Sequence, residues 1–492
     1  MLVDVEPRND NIAVLKLRAR KLEADLFGPL TEISARLSLQ GKRAILIDFS
    51  RVRRVTYGGL AGLVELMAIN KSICFGFCAL GQQVLQLVDR VSLRPGLPIY
   101  PSVDAALSDI AIRRFRLRGV RAVVLCAGRG SRIAPLSEIY PKPMLDILGR
   151  PVVERIVRHL ETFGIRDFAL NPGHLGQQII DHFRQGPSDT RSLLFLREGH
   201  NGPDGWCARP LGSASTLQKL DRDHALFDRE FLVLCGDAVV DLDIAQLIAH
   251  HRDTGAIATI AAQTVPEDQV SKYGIICRDG EGRVTSFQEK PDQTQARSRL
   301  ANTGIYVFSP EAVSYLPEGA GQDIATDLLP RLLEHGGHVQ CWAPDFSWHD
   351  VGCGRDYASV LQKGLRGVDG ILLPDARQIH PGIWVEDGAE FSRLATVDGP
   401  CYVGRGARVE RGAQMIGPSV LGSGAVAARG SVVRNSIILP DTVVGRGALV
   451  DRKITGPNWA FDYAFAHAGV VPAGPLDNVG PLQSARRQAR RA

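Results

Sequence analysis

The sequence predicts an α/β protein in three parts: a small α/β domain, a larger three-layer α/β domain with a mostly parallel sheet, and a parallel β-helix. Three observations carry this. Strand and helix patterns alternate between residues 12 and 107. A second alternation opens at Val123, Val124 and Leu125 and runs to about residue 365. From Val403 onward, apolar residues recur every six positions. A chain of 492 residues has room for about three domains.

In the first part, residues 12–17 and 44–49 read as strands, the second a near-continuous apolar run suited to a buried sheet. A helix starts at Gly59, residues 73–80 form another strand, and Val84, Leu85, Leu87, Val88 and Val91 give helical spacing over 82–91. A short helix begins at Val103. The strand at Val123–Leu125 runs into a glycine-rich turn, and the alternation that follows is the mark of a largely parallel sheet covered by helices. In the third part Val403, Val409, Met415, Leu421, Ala427 and Val433 fall six apart, and Val432, Ile438, Val444 and Val450 form a second phase. A six-residue period sustained this far predicts stacked β coils, three hexads to a turn.

Composition excludes several classes. Hydrophobic residues make up 45% and charged residues 23%, ordinary for a globular protein. No apolar run reaches the ~18 residues of a membrane helix, and the first ten residues lack a basic head and apolar core, so the expectation is a cytoplasmic protein with no membrane span. Nine cysteines without paired spacing read as reduced thiols. The net charge of +5 owes four units to Arg486, Arg487, Arg490 and Arg491, which leaves no case for nucleic acid. The arginines of 113–121 read as a solvated linker and those of 486–491 as part of a disordered basic tail.

The chemistry concentrates in LCAGRGSRIAPLSEIYPKPM, residues 125–144. Gly128 and Gly130 directly follow a strand, where a tight turn can offer backbone N–H groups to phosphate oxygens. Arg132 follows two residues later and Lys142 stands between two prolines, placing fixed cations beside the glycine loop. The string resembles the signature of the sugar-phosphate nucleotidyltransferases, Gly-x-Gly-Thr-Arg-x-x-Pro-Leu-Thr followed by Pro-Lys-Pro, with Ser131 and Ser137 in place of threonines. That resemblance implies a Rossmann-like nucleotidyltransferase domain over 119–365. It makes Arg132 and Lys142 catalytic, and it implies nucleotide binding by Leu125, Ala127, Gly128, Gly130, Ser131, Gly212 and Ser213. Asp237, which ends FLVLCGD, and Asp350 of WHDVG are implied as ligands of Mg²⁺. Tyr273, Gly274, Glu289, Lys290, Asn302 and Gly304 are implied at the sugar phosphate. The substrates are then an NTP and a hexose 1-phosphate, and the general spacing resembles mannose-1-phosphate guanylyltransferases, which implies GTP; glucose-1-phosphate thymidylyl-, uridylyl- and adenylyltransferases are the alternatives. A silent sugar-nucleotide sensor is the rival of another class.

The flanks carry resemblances of their own. AILIDFSRVRRVTYGGLAGLVEL and the pattern around it resemble the STAS domain of anti-sigma-factor antagonists over 1–112, a domain that contacts protein partners. Gly58 stands where that family carries its phosphorylated serine. Residues 113–118 form the basic linker, and 372–462 resemble the left-handed β-helix of hexapeptide-repeat proteins, which favours a homo-oligomer. The tail is placed at 470–492. Among the histidines, His174 reads as structural, His349 as a neighbour that orients Asp350, His250 and His251 as a solvated helix end, and His380 as the one histidine of the β-helix.

Overall fold

The apolar run at 44–49 folds as Ala44–Asp48, the middle of a five-stranded sheet in the order Val3–Pro7, Ile12–Leu17, Ala44–Asp48, Cys74–Cys78, Ile99–Tyr100. The computed structural model describes residues 3–8, 11–186, 191–202, 205–317, 319, 321–463 and 479–481. Met1–Arg121, with Arg158–Asp167 and Ile244–Gln246, forms one compact unit, and the remaining residues a second.

In the first unit Val3–Pro7 pairs antiparallel with Ile12–Leu17 and the other pairings are parallel. The central strands are buried on both faces, which is why they read as continuous apolar runs. Leu15, Ile45, Ile47 and Phe77 meet Leu30, Leu60, Leu63 and Val88 from helices Phe27–Leu39, Tyr57–Ile69 and Gln82–Arg90. On the other face Val14, Ala44 and Leu46 meet Ala106 and Ile112. Helix Tyr57–Ile69 begins two residues before its expected start because Thr56 caps it, its Oγ1 accepting the Gly59 N–H at 3.1 Å. Gly58 lies exposed in the first turn. The expected solvated linker is corrected: Ile112 and Leu117 are buried, and the Arg113 guanidinium lies 4.8 Å over the Phe163 ring, so apolar anchors and a cation–π contact hold this basic stretch to its unit.

The second unit carries a sheet in the order Ser192–Phe195, Asp167–Leu170, Arg121–Leu125, Phe231–Cys235, Leu300–Phe308, Ala258–Thr264, Val339–Trp342. Leu300–Phe308 runs antiparallel to both its neighbours, so the sheet is mixed. Val233, Ile260, Phe308 and Leu329 belong to its core. His251, expected in solvent, is 3% exposed; its ring nitrogens meet Thr259 Oγ1 at 2.8 Å and Ser309 Oγ at 3.2 Å. Burial lowers its pKa to about 4. The neighbouring His250 stacks on Trp342. A doublet at a helix end gives no hint that one member turns inward.

Beyond Arg377, strands stack as three sheets of parallel coils, compatible with a β-helix. Val403, Val409, Met415, Leu421, Ala427, Val433, Ile438, Val444 and Val450 all point inward. The second phase does not begin at Val432, which is half-buried. It begins at Ile438, because Cys401 pairs with Ser419, eighteen residues on, whereas Val420 pairs with Ile437, seventeen on. Corners that hold Gly399-Pro400 and Gly417-Pro418 shrink to Asn435 alone, which adopts a left-handed φ of 47°. The segment leading into the coils is held to the larger α/β domain by an Arg150–Asp375 ion pair and by Arg155, which donates to the carbonyls of Ile147, Ile371 and Leu373. Of the expected tail, only Val479–Pro481 is described, paired antiparallel with Thr442–Val444; the rest lies outside the described residues. Among the described residues no helix is long and apolar enough to cross a membrane.

Candidate active site

Strands Arg121–Leu125 and Phe231–Cys235 end at one edge of the sheet, and a cavity of about 710 Å³ opens there. Gly236 lets the two strand ends close on each other: its N–H donates to the Leu125 carbonyl at 2.8 Å, and a Cβ there would lie 2.8 Å from Cys126 Sγ. Every residue that the sequence singled out for the site lines this cavity.

The glycine loop leaves the strand at Cys126, and Gly130 turns it with a left-handed φ of 63°. A side chain at Gly130 would press on Lys142 Cβ at 3.3 Å, so the loop and the lysine are fitted together. Pro141 and Pro143 restrict the backbone on either side of Lys142, which is 7% exposed. Its ammonium donates to Asp237 Oδ2 at 2.5 Å and lies 3.4 Å from Asp350 Oδ1. A short ladder joins the carboxylates, with Ala238 opposite Asp350 and the Val351 N–H donating to the Asp237 carbonyl.

Burial opposes the charge on Lys142, but Asp237 and Asp350 outweigh it and raise its pKa above the ordinary lysine value. Burial raises the pKa of Asp350; Lys142 opposes this, while Asp237 reinforces it. Arg132, exposed at the cavity mouth, is close enough to act on the charges of Lys142, Tyr273 and Asp350. Two part-buried carboxylates form a hard-oxygen donor pair. Among the described residues no third His, Cys, Asp or Glu joins them to complete an all-protein metal site. That set fits a cation such as Mg²⁺, which keeps waters and takes its remaining ligands from substrate phosphates.

Elsewhere on the cavity lining Gly274 pairs with Glu289 across a hairpin, and Tyr273 packs against Trp348 with ring centroids 4.9 Å apart. Lys290 donates to Glu289 Oε1 at 2.6 Å, both side chains being largely exposed. Gly304, at φ 73°, passes over Cys235, whose sulfur would be 2.6 Å from a Cβ there, and donates its N–H to Asn302 Oδ1.

Several residues of the site escaped the sequence reading. Ser213 Oγ donates to Asp323 Oδ2 at 2.7 Å and accepts the Ile324 N–H at 2.8 Å, so residues 323–325 line the cavity beside it. A buried polar network borders the same cavity. Asn171 Oδ1 accepts the Cys126 N–H at 2.6 Å, and its amide nitrogen donates to Thr216 Oγ1 at 3.2 Å and to Glu198 Oε1 at 3.4 Å. Glu198, 2% exposed, also accepts the Thr216 hydroxyl and, on its other oxygen, the Leu211 N–H. One buried carboxylate thereby ties the glycine loop, through Asn171, to Leu211 and the first turn of helix Ser213–His224. Asn and Glu in ordinary strand-end positions carry no periodic signal, so only the fold brings them out. His174 bonds the Ser137 carbonyl, as its structural reading expected. His349 does not orient Asp350: it bonds Asp369 Oδ2 at 2.8 Å, because successive side chains of a strand point to opposite faces.

Comparison with known proteins places this arrangement. A nucleotidyl transferase family model matches residues 121–366. UTP–glucose-1-phosphate uridylyltransferase of Synechocystis is 36% identical over 341 residues, covering 68% of this chain and 87% of that one. Glucose-1-phosphate adenylyltransferase of Paramagnetospirillum magneticum is 28% identical over 430 residues, covering 79% and 94%. Mannose-1-phosphate guanylyltransferase of Mycobacterium tuberculosis is 29% identical over 291 residues, covering 58% and 75%. The chain belongs to the nucleotidyl transferase family, among the sugar-1-phosphate nucleotidyltransferases.

Proposed function

We propose that this chain joins glucose 1-phosphate to the α-phosphate of UTP, with release of pyrophosphate and dependence on Mg²⁺. The observation that carries the chemistry is the meeting of Lys142, Asp237 and Asp350 beside the glycine loop. The choice of UTP and glucose 1-phosphate over the GTP and mannose 1-phosphate expected from the sequence rests on the 36% identity to the Synechocystis uridylyltransferase. The M. tuberculosis relative keeps GTP and mannose 1-phosphate as the second reading.

An oxygen of the sugar phosphate attacks the α-phosphorus in line. The new P–O bond forms as the bond to the β-phosphate bridging oxygen breaks, and pyrophosphate leaves with the electron pair. The attacking phosphate is ionised at neutral pH, so no side chain removes a proton. Positioning and electrostatics therefore do the catalysis. Backbone N–H groups from Gly128 to Ser131 hold the triphosphate, with Arg132 and Lys142 meeting charge that grows on the leaving group. Leu125, Ala127, Gly212 and Ser213 border the base. Lys290 takes the sugar phosphate, and Tyr273, Gly274, Glu289, Asn302 and Gly304 fit the sugar. Asp237 and Asp350 hold the metal, which when bound neutralises phosphate charge as a Lewis acid. Before substrate arrives, Lys142 bridges the same two carboxylates and offsets part of their charge.

The five-stranded sheet and the exposed helix start at Tyr57 support reading the first unit as a STAS-like protein-contact domain, with Gly58 unable to accept phosphate. The coil stack supports a left-handed β-helix and self-association. Pyrophosphate release measured over every pairing of the common NTPs with glucose and mannose 1-phosphates tests the substrate assignment. The highest kcat/KM should fall on UTP with glucose 1-phosphate; a maximum at GTP with mannose 1-phosphate would overturn it.

A further inference from the structure

One edge of the coil stack carries a column of arginines. Arg393, Arg411, Arg429 and Arg446 occupy the same corner of four successive coils, between the second and third sheets. Each follows by two residues one of the paired positions Phe391, Val409, Ala427 and Val444, and precedes by three residues one of Thr396, Gln414, Val432 and Leu449. All four are exposed, and none of their guanidinium groups forms an ion pair among the described residues, the one carboxylate at the corner, Glu410, accepting the Arg429 backbone N–H at 3.0 Å. With adjacent strands about 4.8 Å apart, the column is a line of cations about 14 Å long. Like charges stacked this way repel, so the arrangement weakens the coils unless something anionic meets it.

Apolar residues stand among these cations. Leu394, at the corner beside Arg393, is 60% exposed, and Leu449, three residues after Arg446, is 58% exposed. The outward side chain of Tyr402, on the first sheet, is buried with its hydroxyl against Gly149 of the catalytic domain. The arginine corner lies between the other two sheets, opposite that face, and contact there leaves the cavity open. Pro481 pairs with Thr442 on a late coil, and the sequence beyond it adds Arg486, Arg487, Arg490 and Arg491.

We propose that this edge docks the protein on an anionic lipid bilayer. The arginines meet headgroup phosphates, and Leu394 and Leu449 enter the interfacial layer between headgroups and acyl chains. An acidic peptide would meet the cations but leave the exposed leucines unmatched. The column also lacks the interleaved aromatic side chains on which single-stranded nucleic acid stacks. Charge complementarity and the exposed leucines together select a surface that is anionic outside and apolar within.

The test is co-sedimentation of the full chain with phosphatidylcholine vesicles, with and without phosphatidylglycerol, beside binding to a duplex oligonucleotide. The protein should bind only the anionic vesicles and release as salt is raised. Each arginine near the surface is worth about fivefold in partitioning, so Arg411→Gln with Arg429→Gln should weaken binding by about 25-fold. Pyrophosphate release should stay at the wild-type value, which separates this inference from the catalytic reading, and the melting temperature should hold or rise as the repulsion is relieved. Leu394→Ser with Leu449→Ser should weaken vesicle binding further at high salt. Failure of the wild type to bind vesicles, oligonucleotide binding in place of vesicle binding, or vesicle binding indifferent to either double variant would each overturn the proposal.

Discussion

Replacing Lys142 by methionine keeps the aliphatic stem and removes the ammonium from between Asp237 and Asp350. Two effects follow. In catalysis, losing a preorganised cation at a phosphoryl centre costs about 3–4 kcal/mol, on the order of 10²–10³ in kcat. In folding, removing one partner of a buried ion pair costs about 3–5 kcal/mol. Here the lower end applies, because the Asp237 and Asp350 side chains keep 34% and 20% of their exposure. The pH dependence has a definite sign. Burial already raises the pKa of Asp350, and without Lys142 it rises further. A carboxyl whose folded pKa exceeds its unfolded value binds more protons in the native state, so stability falls as pH rises through that window. The stability deficit of Lys142→Met should therefore be larger at pH 8 than at pH 5 in thermal melts. Steady-state pyrophosphate release should show kcat reduced, with KM for NTP changed much less. A raised KM with unchanged kcat would show that Lys142 serves ground-state binding, and the transition-state role would be wrong.

Four further outcomes are expected. Asp237→Asn should abolish turnover and flatten the Mg²⁺ titration; retained Mg²⁺-dependent activity would remove Asp237 from the metal. Lys290→Ala should raise KM for the sugar phosphate and leave NTP binding nearly intact by calorimetry, and the reverse pattern would mean the site is mapped backwards. Glu198→Gln puts a donor where three donors converge; a buried mismatch of this kind costs about 1–3 kcal/mol and should raise KM for NTP about tenfold with little change in kcat. Asp146, where the catalytic domain meets the coils, has its pKa raised by burial to about 6, against the help of the Gly149 N–H. Its native form binds more protons than its unfolded form between about 4 and 6, so a penalty of about 3 kcal/mol grows across that window and is complete above it. Asp146→Asn should accordingly raise the melting temperature at pH 8 and lose that advantage near pH 4, and equal melting at both pH values would refute the assignment.

Much of the cavity was legible because its residues mark strand ends. Asp237 follows a run of five strand residues, and the glycines of 128–130 follow another, so both announce the same edge of the sheet. Lys142 stood out through its flanking prolines. The supporting layer was invisible for a physical reason: Asn171, Glu198 and Thr216 are far apart in sequence and acquire meaning only when strand and helix ends converge. His251 was misjudged because helical periodicity alone did not tell which member of a His-His pair faces inward. The coil pattern was clear in its period and wrong in its phase at Val432, since one shortened corner at Asn435 moves every later inward position by one residue. Arginines at 113–118 hid apolar anchors at Ile112 and Leu117, where charge count outweighed spacing in the reading.

The central claim is that Lys142, Asp237 and Asp350 carry nucleotidyl transfer in this cavity. The most direct measurement mixes the full chain with UTP, glucose 1-phosphate and Mg²⁺ and follows pyrophosphate and nucleotide sugar together. One nucleotide sugar should form per pyrophosphate, no pyrophosphate should appear without the sugar phosphate, and both products should be lost in folded Lys142→Met and Asp237→Asn proteins. Pyrophosphate released without sugar phosphate, or transfer that survives both substitutions, would contradict it.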